Sequence, residues 1–175
     1  MGATISGDIG GIVSRLKSLG NDSPQFIDKL HRVMQELVNY GLGQAQLYLA
    51  NAVYDGTPDY HIRINWISPT ACTLTTYGDT VAFMEFGTGI VYPDNHPKAP
   101  EFGAVRGEYG YKLGRHWTWR YPASHGAGTN AVPDQSHPGY LLTHGNPANK
   151  IMYNTGKDMH AKVREILAKE FRLDD

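Results

Sequence analysis

The sequence predicts an α+β fold: N-terminal helices and a C-terminal helix packed on a small antiparallel β-sheet, with a long irregular loop inserted before the last helix. Three observations carry this expectation. Apolar residues recur at three- and four-residue steps between Phe26 and Val53 and again between Ile151 and Leu167. Tyr60 to Ile67 alternates strictly, as a half-exposed strand does. Between Ile90 and Asn146 no period is sustained, and most of the prolines fall there.

In chain order, Ile12, Val13, Leu16 and Leu19 suggest a short helix over residues 9–19, ended by Gly20. Asn21-Asp22-Ser23-Pro24 is a strong helix start, because Ser23 can cap while Pro24 occupies the first helical position, where its missing N–H breaks no bond. The helix that follows presents Phe26, Leu30, Val33, Leu37, Leu42, Ala45, Leu49, Ala52 and Val53 as one stripe. Gly41 and Gly43 lie inside it, each costing about 1 kcal/mol relative to alanine. A bend, or the close approach of a packed neighbour, would explain them, and a helix that continues with a bend is expected. Asp55-Gly56-Thr57-Pro58 ends it.

The first strand places Tyr60, Ile62, Ile64 and Trp66 on its core face. Ser68-Pro69-Thr70 turns into a threonine-rich second strand, Ala71 to Tyr77. Val81 to Phe86 fits either a third strand or a single helical turn, so residues 60–89 are expected to form a meander ending in Gly87-Thr88-Gly89. Within the loop, Trp117, Trp119 and Tyr121 alternate against His116, Thr118 and Arg120, as one arm of a hairpin would. Asn146-Pro147 repeats the cap-then-proline signal and should open the final helix, which carries Ile151, Thr155, Met159, Val163, Ile166 and Leu167 on one face. The organisation expected is one domain over 1–175: a helical N-terminal region over 1–54, the meander 60–89, a partly ordered loop 90–146 and a helix 147–172.

Composition narrows the function. The 175 residues are 41% hydrophobic and 19% charged, a globular balance, and the formal net charge of -1 gives the whole chain no electrostatic reason to seek DNA or an acidic membrane. Cys72 is the only cysteine, which leaves no intrachain disulfide and no cysteine cluster for zinc, and fits a reduced, intracellular site of synthesis. The N-terminus lacks the charged start and apolar run of a signal peptide, and no run of about 18 apolar residues occurs, so a soluble chain is expected.

Several constellations invite chemistry. His96, His116, His125, His137 and His144 all fall in the loop, but none stands in an H-x-x-x-H or H-E-x-x-H spacing, and solvated or loop-packing histidines are the preferred reading. A small metal-dependent hydrolase would pair Glu85 with a loop histidine such as His144 and use the Gly87 or Gly89 N–H as an oxyanion donor. No G-x-S-x-G turn accompanies them, and Cys72 carries no sign of activation. Gly87-Thr88-Gly89 lacks the rest of a phosphate-binding motif and reads as a tight turn. Lys112, Arg115, Trp117, Trp119, Arg120 and Tyr121 form a basic-aromatic strip that suits a protein interface better than single-stranded nucleic acid, given the near-zero net charge.

The stretch A-F-M-E-F-G-T-G at 82–89 resembles the A-x-[YF]-[VLIM]-E-[FY]-G-T signature of the tail-completion, or head-tail joining, proteins of long-tailed bacteriophages and prophages. The segment H-G-N-P-A-N-K-I-M-Y-N-T-G-K-D-M at 144–159 is similar to that family's entry into its last helix, although Lys150-Ile151 stands where many relatives carry proline-phenylalanine. The order of elements matches over almost the whole chain, and the W-T-W-R-Y-P segment is similar to a branch from phages of Gram-positive hosts. The resemblance implies a structural virion protein with no catalytic activity and no cofactor, found in the neck and, during assembly, in the host cytoplasm. It further implies a hexameric or related ring docked between the head connector and the tail-tube or tail-terminator proteins, with no membrane and no sequence-specific nucleic acid as partner. Glu85, Phe86, Gly87, Thr88 and Gly89 are then the family motif, Glu85 either accepting N–H bonds from its own turn or meeting an arginine of the next subunit.

Overall fold

Ser23 opens the first helix as its sequence requires: its backbone carbonyl accepts from the Phe26 and Ile27 N–H groups, and its hydroxyl lies 3.3 Å from the Phe26 nitrogen. The computed structural model describes residues 23–89, 96–105, 107–108, 116–126, 128 and 130–171. The helix expected over residues 9–19 lies outside them. The chain is distributed over two compact units that exchange it repeatedly. Among the described residues, one holds Leu49–His61 and those of 77–151, the other 23–48, Ile62–Thr76 and 152–171.

The second of these units is built on two long helices. Helix α1, Pro24–Ala50, runs unbroken through both glycines and buries Leu30, Val33, Met34, Leu37, Val38, Gly41 and Ala45. Helix α3, Ile151–Phe171, lays Val163 and Ile166 against Val33 and Leu37, with Met159, Leu167 and Phe171 packed around them. The Phe26 and Phe171 rings meet at 5.6 Å, and Tyr48 donates to Asp158 at 2.6 Å, so the helices run antiparallel. That bond, together with burial, pushes the Tyr48 phenol up. Gly41 explains itself here. A Cβ on it would collide with the Met159 side chain, whereas one on Gly43 would meet nothing within 4 Å. The interruption is therefore a close approach at one glycine rather than a break at two.

Strands β1, His61–Ser68, and β2, Ala71–Tyr77, pair as a two-stranded hairpin. Pro69 in its turn offers its carbonyl to His31 Nδ1 of α1 at 2.6 Å. The alternation expected of β1 holds only as far as Ile64: Tyr60, just before the strand, is buried, but Asn65 is half-buried, Ile67 is exposed, and Trp66 stays 43% exposed with its ring 5.1 Å from that of His31. Trp66 is therefore not core, because a two-stranded ribbon has too little cover for a ring of that size.

In the unit built from Leu49–His61 and Tyr77–Ile151, Val81–Phe86 settles as a short helix, α2, so the hairpin gains no third strand and the expected meander is not formed. The long loop contains a small antiparallel sheet of β3, Trp119–Pro122, β4, Val132–Pro133, and β5, Tyr140–Thr143, in the order β3-β5-β4. Trp119 pairs with Thr143 and Tyr121 with Leu141. The hairpin arm expected around Trp119 exists, though its partner lies about twenty residues further along the chain. Phe86, Ala99 and Ala104 form the local core, with Ala82 packed against it.

Candidate functional site

Thr80 prepares the E-F-G-T stretch. Its hydroxyl donates to the Asp59 carbonyl at 2.8 Å and accepts from the Asp59 N–H at 2.9 Å, fixing the chain before α2. One turn later Glu85 is fully buried. Its Oε1 lies 3.2 Å from His96 Nε2, and the Lys98 N–H donates to His96 Nδ1 at 3.0 Å. A ring nitrogen that accepts carries no proton, so His96 is held as the neutral tautomer with Nε2–H directed at the carboxylate. The Phe86 ring meets the His96 ring edge-on at 4.6 Å. One partner of Glu85 is thus a histidine of its own chain, and its side chain has no exposed surface.

The turn after Glu85 zips along residues 144–150. Thr88 N–H donates to the Asn146 carbonyl at 2.8 Å, and Asn146 N–H returns a bond to Thr88 Oγ1 at 3.0 Å. Gly87 has φ 77°, and a Cβ there would stand 2.7 Å from both Ala148 N and Asn146 O. Gly89, at φ 98°, presses on the His144 carbonyl in the same way. Both positions demand glycine for backbone angle and for space. The last carbonyls of α2, which a helix end leaves without partners, are taken up by this segment: Asn149 N–H bonds Met84 O at 2.9 Å and Lys150 N–H bonds Glu85 O at 3.2 Å. Lys150 reaches its place with φ 56°. The Asn146-Pro147 pair is thus not a helix cap. It belongs to a collar around E-F-G-T, and α3 begins only at Ile151.

Two asparagines do the joining. Asn149 accepts from the Val53 N–H at 2.7 Å and donates to the Val53 carbonyl at 3.0 Å, imitating a strand partner. Asn146 Oδ1 accepts from the Asp55 N–H at 2.6 Å. Asp55 is itself buried, its Oδ1 accepting from the Asn130 N–H at 2.8 Å and its Oδ2 from Thr143 Oγ1 at 2.6 Å. Because Thr143 Oγ1 accepts from the Gly145 N–H at 2.9 Å, its own proton points to Asp55, which acts as an acceptor on both oxygens, as a carboxylate does. Gly128 lies so close to Asp55 that any Cβ there would overlap it.

Above this cluster opens a pocket of about 530 Å³, lined by Tyr54, Asp55, Gly56, Thr57, Thr80, Phe83, Thr88, Trp119, Tyr121, Ser124, His125, Thr143 and Asn146. Burial pushes the Tyr54 phenol up, and Tyr121 and Asp55 push it further. Burial, then Asp55, raise Tyr121 too, against a bond from the Gly128 backbone. The basic-aromatic strip does not stay together. Trp119 and Tyr121 face the pocket, while Arg120 lies within 3.3 Å of Asp134 Oδ2 and donates to His137 Nε2 at 2.8 Å. Trp117 is 65% exposed beside His144, whose Nδ1 lies 3.1 Å from the Trp117 carbonyl; Lys112 and Arg115 lie outside the described residues. Glu85 and His144, the pair a hydrolase would use, have separate partners. Among the described residues no three His, Cys, Asp or Glu side chains gather as a metal site. Burial pushes the Cys72 thiol up, which leaves less of the nucleophilic thiolate at neutral pH.

Sequence reading missed Asp55, Thr143, Asn149 and the His96 partnership. Asp55 stands in an Asp-Gly-Thr-Pro run that reads as a helix stop, and Asn146 in a pair that reads as a helix start, so local turn chemistry masked their long-range bonds. Comparisons with protein families, with curated proteins and with solved structures find no match for this chain.

Proposed function

We propose that this chain is a structural virion protein of a tailed bacteriophage or prophage, a tail-completion component that joins head to tail by assembling with copies of itself and with the proteins on either side. One observation carries the reading. The two stretches that hold the resemblance, 82–89 and 144–159, lie far apart in sequence and bond directly to each other, Thr88 to Asn146 and Met84 and Glu85 to Asn149 and Lys150. The motif then describes one joint of a fold, which is what a signature of an assembly family would preserve.

A closed ring needs two different complementary surfaces on each subunit. Phe102, Trp117 and Tyr140, exposed by 47%, 65% and 42%, are the kind of aromatic anchors that interfaces favour, and all lie on the long segment after the joint. In the virion the partners are further copies of the chain, the head connector and the tail-tube or tail-terminator proteins, with the host cytoplasm as the place of assembly. Electron microscopy of particles produced without this protein tests the proposal: filled heads and complete tails that fail to join are the expected result, and normally joined virions overturn it.

A further inference from the structure

The pocket beside Asp55 borders the E-F-G-T joint through Thr88 and Asn146, and its chemistry is one-sided. Tyr54, Phe83, Trp119 and Tyr121 give it aromatic walls, and Asp55, a buried residue, brings a carboxylate to its lining. Among the described residues that line it there is no lysine or arginine. Both Asp55 oxygens accept bonds from uncharged donors, Asn130 N–H and Thr143 Oγ1, so the ring of neighbours orients the carboxylate without a formal positive charge to balance it. Aromatic rings and an uncompensated carboxylate attract the same kind of guest, a cation. The volume, about 530 Å³, falls within the range of roughly 300–1,000 Å³ in which ligand pockets lie.

We propose that this pocket binds a guanidinium head group, either of an arginine side chain presented by another protein segment or of a small guanidino compound. A planar guanidinium stacks on aromatic rings and sheds water more readily than an ammonium ion does. It also brings five N–H donors, and Thr57 and Ser124 in the pocket's lining carry hydroxyls to receive some of them. A quaternary ammonium would leave those oxygens without a donor. Asp55, its oxygens already engaged by Asn130 and Thr143, acts through charge, while the rings and hydroxyls make the contacts. The inference does not depend on the head-tail joining role.

The test is a titration of the full chain, followed by amide and indole resonances, with Nα-acetyl-arginine methylamide, with methylguanidine and with the neutral citrulline counterpart of the first. Saturable shifts centred on Thr57, Thr80, His125 and the Trp119 indole are expected with the arginine derivative. The citrulline compound should bind at least about tenfold more weakly, as should arginine to Asp55→Asn. Tighter binding of the arginine derivative than of methylguanidine supports a protein side chain as the guest, and the reverse supports a free guanidino compound. No saturation below about 10 mM with either cation overturns the proposal, as does equal binding of the citrulline compound. Should Asp55→Asn lose its fold, Tyr54→Leu keeps bulk while removing a ring, and unchanged affinity in that variant is equally fatal.

Discussion

At the scale of single residues, Glu85 changes character most between sequence and structure. A carboxylate beside two glycines suggests catalysis, yet with no exposed surface and His96 directed at it by a tautomer that the Lys98 N–H dictates, it is a structural acceptor. Glu85→Ala leaves the His96 Nε2–H facing a void and should cost about 3 kcal/mol. Glu85→Gln retains an acceptor of the same reach and should cost only about 1 kcal/mol. Urea unfolding of both variants checks this, and equal losses would contradict the role given to that bond. Asp134 supplies the pH dependence. Its burial works to raise the carboxyl's pKa, but the Ser136 N–H, Arg120 and His137 outweigh it and hold the group below the usual carboxylate range. A depressed folded value stabilises the protein above the unfolded value of about 4, and that contribution disappears as pH falls through the folded value. The urea midpoint should therefore drop as pH is lowered below about 4, and Asp134→Asn should flatten the drop.

At the scale of elements, the two glycines of α1 look alike in sequence and differ in space. Gly43 has nothing within 4 Å of its would-be Cβ, so Gly43→Ala should stabilise by about 0.5–1 kcal/mol through backbone entropy alone. Gly41→Ala gains the same propensity but must displace Met159, and its net effect should be near zero or negative. Thermal unfolding of the two variants separates them, and a Gly41→Ala as stable as Gly43→Ala would show that the helices do not approach as closely as described. The elements with strong local signals, α1, β1 and β2, are legible in the sequence to within a residue or so at most ends, although α1 stops at Ala50 and leaves Ala52 and Val53 beyond it. Helix α3 is legible in its body and not in its start. Ser23-Pro24 and Asn146-Pro147 carry the same signal, but only Ser23 is at liberty to cap, because Asn146 is engaged by Asp55 and Thr88.

At the scale of the whole molecule, both units draw on distant stretches of chain. The α1–α3 pair joins residues more than a hundred apart, Arg32 to Glu170 and Glu36 to Lys169, and neither helix can bury its stripe until the chain is complete. The unit of the joint likewise closes only when residues 144–150 return to 82–89.

What the sequence determined by itself is the α+β class, the helical stripes and the β1–β2 hairpin. Each rests on periodicity within ten to thirty residues, and periodicity is a local consequence of one buried face. It marked 82–89 and 144–159 as stretches of interest without showing that they meet. Only the tertiary structure decided what those residues do. Glu85 meets His96, Asn146 meets Asp55 and Trp119 turns towards a pocket while Arg120 turns to Asp134. Such pairings are fixed by long-range hydrogen bonds between buried polar groups, which must find partners wherever the fold supplies them and leave no periodic trace in the chain.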